Sequence, residues 1–266
     1  APHFNFNDTI PRHWLAQSPV ATHLANSLNL IFPMGERFFV RSVRHYMDRI
    51  DDPTLLADIR GFMGQEGRHA SEHQRFFDVL RAQGYEIDTF LKVYEALAYR
   101  FLEKIFGPKM RLSTPAACEH FTAMFAERAL SEDFLKTEAH PILRDLLMWH
   151  AAEELEHKTV AFDVLQQVDY SYALRMAGLF MATATLTGFW MAGTAMLLMQ
   201  EEKGSGPKVL RHFAHGVQSG RIGRGNMLKA FIGYMRPGFH PNDIDNFHLA
   251  QGYLDRLAAK SAEAQS

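Results

Sequence analysis

The segment WHAAEELEHKTVAFDV, residues 149–164, sets His150, Glu154 and His157 at i, i+4 and i+7, with Glu153 and Glu156 beside them. Those spacings share one face of a helix, so three metal-donor side chains project together. A solvated acidic face is the competing explanation, since charge-rich helix faces are usually exposed. The continuation KTVAFDVL argues against it, because Val160, Ala161 and Val164 return to nearly the same stripe. A second segment, GQEGRHASEHQRFF, repeats the Glu-x-x-His spacing with Glu66 and His69 and adds His73 one turn later. A four-helix carboxylate site for two irons needs two such pairs and one further acid from each of two other helices. Glu36 in GERFF and Glu119 in ACEHFTAMF, both among apolar neighbours, supply those acids.

The order Glu36, Glu66-x-x-His69, Glu119, Glu154-x-x-His157 is that of a ferritin-like di-iron bundle, and residues 84–112 are long enough for the crossover helix which that topology requires. The second and fourth ligand helices then run antiparallel. His73 lies four residues after His69 and His150 four before Glu154, each displaced by roughly 6 Å along its helix, so both reach the same end of the site. One of them could be a seventh ligand and the other could orient it, as could Glu153. Hydrogen-bonded core histidines without a metal are the alternative for both.

Stepping outward, the elements that must hold these residues read as all-α, because long segments of 3.6-residue period follow one another. Residues 1–32 are expected as an arm or short helix, and Pro33 as the start of the first ligand helix. The second runs from Pro53, after Asp52 as cap, to about Gln83. A crossover helix follows over 88–107. The third ligand helix is opened by STP at 113–115 and reaches about Leu130; the fourth runs from Pro141 to about Val168. The bundle thus occupies 33–170, and residues 171–266 form a helical extension, with helices over 172–202, 206–219, 225–235 and 242–260.

Composition narrows the classes. The chain of 266 residues is 47% apolar and carries 28 Lys and Arg against 30 Asp and Glu, which leaves no basic footprint for nucleic acid. The one cysteine, Cys118, excludes an intramolecular disulfide and a Cys-rich zinc cluster. APHFNFNDTIPRHW shows no basic-then-apolar leader, so a cytoplasmic location is expected.

The pattern GER, QEGRHASEH, EHFTA and WHAAEELEHKTVAFDV, with RPGFHP near the end, resembles a bacterial family labelled predicted metal-dependent hydrolase, over about residues 10–255. The His150-x-x-x-Glu154-x-x-His157 pattern is also similar to the arylamine N-oxygenases of the p-aminobenzoate type. Those are di-iron enzymes with an extra histidine ligand on the last ligand helix, so that likeness implies di-iron O₂ chemistry with His150 as the extra ligand.

The segment 176–199, MAGLFMATATLTGFWMAGTAMLLM, is uncharged for longer than the roughly 20 residues that span a bilayer. It reads as a buried helix covering the bundle or a homodimer interface, as a membrane-inserted or docked element, or as a span; its small residues suit close packing in each case. His240 and Asp243 in RPGFHPND are read as structural, with Asn242 or Asp243 capping the next helix. Tyr46, Tyr94, Tyr99 and Trp149 are read as core aromatics, with cavity lining or radical transfer as the functional alternative.

These residues give three expectations. The first is a di-iron oxidase or oxygenase with metal ligands Glu36, Glu66, His69, Glu119, Glu154, His157 and His150, using O₂ on a small lipophilic substrate with electrons from an outside donor. The second is two-metal hydrolysis of an ester, amide or phosphate bond with Zn or Mn in place of Fe. The third is non-catalytic iron binding and oxidation.

Overall fold

The computed structural model describes residues 2, 4–6, 10–202, 206–218 and 226–263. The fold is all-α, a ferritin-like helical bundle; among the described residues the only β-type pairing is an isolated bridge between Leu15 and Ala139. Four helices carry the site: α1 (Pro19–Arg44), α2 (Pro53–Ala82), α5 (Pro108–Ser131) and α7 (Pro141–His157). The crossover between α2 and α5 consists of α3 (Asp88–Tyr94), a π-wound stretch (Glu95–Leu102) and the single turn α4 (Glu103–Ile105). A short α6 (Asp133–Glu138) precedes α7, and α8 (Val160–Val168) follows it. The remainder is α9 (Tyr172–Met199), α10 (Gly206–Gln218), α11 (Asn226–Tyr234) and α12 (Phe247–Glu263).

Local chemistry explains most boundaries. Asp52 accepts from the amides of Thr54 and Leu55 to open α2, and Gly84, at φ +87°, closes it in the left-handed region that glycine tolerates. Four expected boundaries are corrected. Helix α1 runs through Pro33, because Ser18 already caps it, accepting from the amide of Ala21, and Pro19 supplies the first turn. Helix α5 begins at Pro108, so Pro115 lies inside it and Ser113 is no cap; its hydroxyl donates to the carbonyl of Leu174 on α9. The fourth ligand helix breaks after His157, where the Lys158 ammonium turns aside to the Ile244 carbonyl and Asn246. Residues 241–243 form a single 3₁₀ turn ahead of α12, capped by His240 and Asp243.

Two apolar clusters bracket a polar layer. One, with Val43, Ile59, Phe62, Leu112, Phe121 and Val164, fills one end of the bundle. The other, with Leu30, Phe76, Leu80, Leu143, Leu146 and Trp149, fills the opposite end. On α1 and α2 the donors lie between residues of the two clusters; on α5 Glu119 is flanked by Cys118 and Phe121 of the first, and on α7 the donors follow Trp149 of the second and precede Val160 of the first on α8.

Helix α9 is long and apolar enough to cross a bilayer by length and composition. It packs along α1 and α5, and a Cβ at Gly178 or Gly193 would collide with Ser113 or Ser27. Trp190 Nε1 donates to the Leu24 carbonyl at 2.8 Å, and the Ser27 hydroxyl donates to the Trp190 carbonyl at 2.7 Å. Its opposite face leaves Phe180 and Met191 exposed.

The N-terminal arm is clasped at the far end of α9. Trp14 Nε1 donates to Asn26 Oδ1, which turns the Asn26 amide nitrogen toward His23 Nδ1 at 3.4 Å. His23 therefore presents Nε2–H to Glu201 Oε1 at 2.7 Å, where the Tyr85 hydroxyl also donates, while His13 meets Oε2 at 3.0 Å. His13, His23 and Glu201 have metal-donor spacing. The His23 tautomer offers no inward lone pair, however, and the Arg12 guanidinium lies 3.7 Å from Glu201, so this group is a hydrogen-bonded clasp.

Candidate metal centre

Glu36 from α1, Glu66 and His69 from α2, Glu119 from α5, and His150, Glu154 and His157 from α7 meet in the polar layer. All seven side chains are buried, Glu119 and His69 completely so. Their donor atoms form three overlapping groups, Glu36–His69–His150, Glu66–His69–Glu154 and Glu66–Glu119–His157, each with its atoms within 4.8 Å of one another. Both oxygens of Glu36, Glu66 and Glu119, together with His69 Nδ1, His157 Nε2 and Glu154 Oε2, are buried without a hydrogen-bond partner. Orphaned carboxylate oxygens cost several kcal/mol unless a cation or proton compensates them. The orphans are the atoms that a dinuclear centre would use.

The imidazoles are oriented from outside. Trp149 Nε1 donates to Glu153 Oε1 at 2.8 Å, and Glu153 Oε2 accepts from His69 Nε2–H at 3.1 Å, leaving the His69 Nδ1 lone pair facing Glu66 (3.4 Å) and Glu154 (3.6 Å). The Gln65 amide nitrogen donates to Glu156 at 2.9 Å, so its oxygen accepts from His157 Nδ1–H at 3.0 Å. That leaves His157 Nε2 toward Glu66 at 3.2 Å and toward Glu119 and Glu154 at 3.5 Å. The Asn29 amide nitrogen donates to the Ala25 carbonyl, its oxygen takes His73 Nδ1–H at 2.6 Å, and His73 Nε2 then accepts from His150 Nδ1–H at 2.5 Å. The bare nitrogen of His150 faces Glu154 at 2.8 Å and Glu36 at 3.8 Å. When neutral, each imidazole aims a lone pair at carboxylate oxygens, an arrangement that is repulsive until a cation or a proton lies between them.

The electrostatics agree. Burial, reinforced by Glu66 and Glu154, pushes the Glu36 carboxyl well above its ordinary range, and burial beside Glu154 does the same to Glu119. Burial lowers both His73 and His150, which keeps that pair neutral. Burial opposes charge on His157 and His69 as well, but the carboxylates close to each, Glu154 and Glu66 for His157 and Glu153 and Glu66 for His69, outweigh it and raise both imidazoles, so at these two a proton competes with a cation.

Two cavities reach the layer. One of about 100 Å³ touches Glu36, Glu66, His150 and Glu154 and is walled by Phe38 and Phe189. Tyr94 and Tyr99 also line it, with their hydroxyls hydrogen-bonded; five residues apart, they would diverge on an α-helix and are brought together by the π-winding. The other cavity, about 940 Å³, opens between α1, α5, α7, α9 and the C-terminal helices and ends at His150 and Glu154. Phe32, Thr122, His150 and Glu154 border both.

The seven expected donors are brought together, and His73 and Glu153 lie one step behind them. His240 is elsewhere, on Asp163, and Tyr46 is core. Gln65 and Asn29 are missing from the sequence reading. Asn29 lies seven residues before Glu36, on the same helical stripe, and that spacing was its available signal. Gln65 falls off the Glu66 stripe and left none.

A family model described as "Predicted metal-dependent hydrolase" matches residues 1–245. Neither a curated protein nor a solved structure gives a match.

Proposed function

The chain belongs to the family of predicted metal-dependent hydrolases; from the donor set rather than from that description, we propose that Glu36, Glu66, His69, Glu119, Glu154, His157 and His150 hold two iron ions that use O₂ to oxidise a small lipophilic substrate. The observation that carries the reading is the set of partnerless oxygens from four acids facing the inward lone pairs of the three imidazoles. A carboxylate-rich, nitrogen-supplemented set of this kind suits two hard, redox-active divalent ions better than a soft or single one. When bound, the metals supply the O₂ reduction that side chains perform poorly.

The chain's own residues set the conditions. Glu153, Gln65 and His73 fix the three imidazoles before a metal arrives, so little reorganisation is needed. Phe32, Phe38 and Phe189 keep the approach apolar, which limits water and favours a hydrocarbon-like substrate beside Glu154 and His150. The electrons come from a donor outside the chain or from the substrate.

The family's description favours a second reading, two-metal hydrolysis with Zn or Mn on the same ligands. It needs polar groups to fix an ester, amide or phosphate, and the smaller cavity offers Arg111, Tyr94, Tyr99, Thr114, Thr122 and Thr185 for that purpose. O₂ consumption by Fe(II)-loaded protein, with reductant and a panel of long-chain apolar compounds, separates the two. Substrate-dependent uptake that is lost in Glu154→Ala supports the first reading. Ester or phosphodiester hydrolysis by Zn- or Mn-loaded protein, with an Fe(II) form inert to O₂, hands the site to the second.

A further inference from the structure

Residues 203–242 contain seven Lys and Arg and no Asp or Glu, within a chain whose formal charge is −2. Two helices of this block are described, and both are amphipathic. On α10, Leu210 and Phe213 are exposed beside exposed Arg211 and His215; on α11, Leu228 and Ile232 are exposed beside exposed Lys229. The apolar surface continues onto α9, where exposed Phe180 meets Phe231 of α11 ring to ring at 5.5 Å. Exposed Met191, Leu210, Phe213 and Leu228 are also lining residues of the 940 Å³ cavity that ends at His150 and Glu154.

We propose that α10, α11 and the outer face of α9 form a docking surface for an anionic lipid bilayer, through which an acyl or other lipid-like substrate enters the cavity directly. Charge selects this occupant. Cations interleaved with exposed Leu, Phe and Ile match an interface that is negative at its headgroups and apolar beneath. A second copy of the chain fits poorly, because a two-fold contact through this patch would set its exposed cations, Arg211 and Lys229, against cations of the same patch. The helix lies on the membrane rather than across it, since the small-residue side of α9 is committed to Ser27 and Ser113. The substrate class rests on the di-metal reading; the docking itself does not.

The test is co-sedimentation of the full chain with vesicles of phosphatidylcholine alone or mixed with phosphatidylglycerol. Binding is expected only to the anionic vesicles, and is expected to fall as salt is raised. Arg211→Gln with Lys229→Gln should weaken it about thirtyfold, roughly fivefold per cation, and Phe213→Asp should weaken it with the helical circular dichroism intact. Glu154→Ala should bind vesicles normally while losing metal, which separates failure of docking from failure of the metal reading. Absence of vesicle binding by the folded wild type, salt-independent binding equal on both vesicle types, or a dimer dissociated by these same substitutions would each overturn the proposal.

Discussion

His73 Nε2 accepts a 2.5 Å hydrogen bond from His150 Nδ1, and this turns the other nitrogen of His150 toward Glu154 and Glu36. The pairing joins α2 to α7 across the bundle and traces back to the Ala25 carbonyl, which orients Asn29, which orients His73. His73→Phe should therefore weaken metal affinity by about 10–100-fold without touching a proposed ligand. His73→Gln, whose amide can accept from His150 and donate to Asn29, should recover most of it. Competition with a coloured chelator reads both.

Glu66 and Glu154 belong to the shared donor groups. Glu66→Ala and Glu154→Ala should each remove most bound metal, and retention of wild-type metal content by both would dismiss the ligand assignment.

Glu119 is fully buried, with both oxygens partnerless, and its carboxyl is raised well above the ordinary value of 4.5 by burial and then by Glu154. A raised acid contributes stability while protonated in both states and loses it as pH climbs through its folded value. Metal-free Glu119→Gln should accordingly be more stable than metal-free wild type at neutral pH and above, by about 1–3 kcal/mol. The same substitution should weaken metal binding. Urea unfolding of the two proteins with and without Fe(II) measures this crossover.

The clasp at Glu201 titrates in the opposite sense. Burial opposes its ionisation, but hydrogen bonds from His23, Tyr85 and His13 hold its carboxyl at about 2 against an ordinary 4.5. A depressed acid contributes fully above 4.5 and loses that contribution as pH falls toward 2. Trp14, tied to Asn26 in the same chain of hydrogen bonds, should report release of the arm by a red-shifted emission over that window. Glu201→Gln should remove the pH dependence and leave the arm loosened at neutral pH.

The cluster of buried Glu and His residues was legible because its spacing is a direct record of helix period: two Glu-x-x-His pairs and two acids in apolar surroundings can share an interior only if the helices face one another. Asp52, Pro53 and Gly84 announced α2 with equal clarity. Proline misled elsewhere, since Pro33 and Pro115 lie inside helices already capped at Ser18 and begun at Pro108. The break after His157 coincides with Lys158 reaching Asn246, 88 residues away, a contact that no local pattern encodes. The partners that orient the imidazoles were half legible: Glu153 is a charged neighbour within the crowded acidic stretch of α7, whereas Gln65, although next to Glu66, is an uncharged amide whose partner His157 lies across two helices.

Anaerobic Fe(II) titration of metal-free protein, read by calorimetry with metal analysis after desalting, tests the central claim most directly. The bundle geometry calls for saturation at two irons per chain in wild type and for loss of both in Glu66→Ala/Glu154→Ala. Saturation at one iron or none, or a double variant that still binds two, would contradict a dinuclear centre on these seven residues.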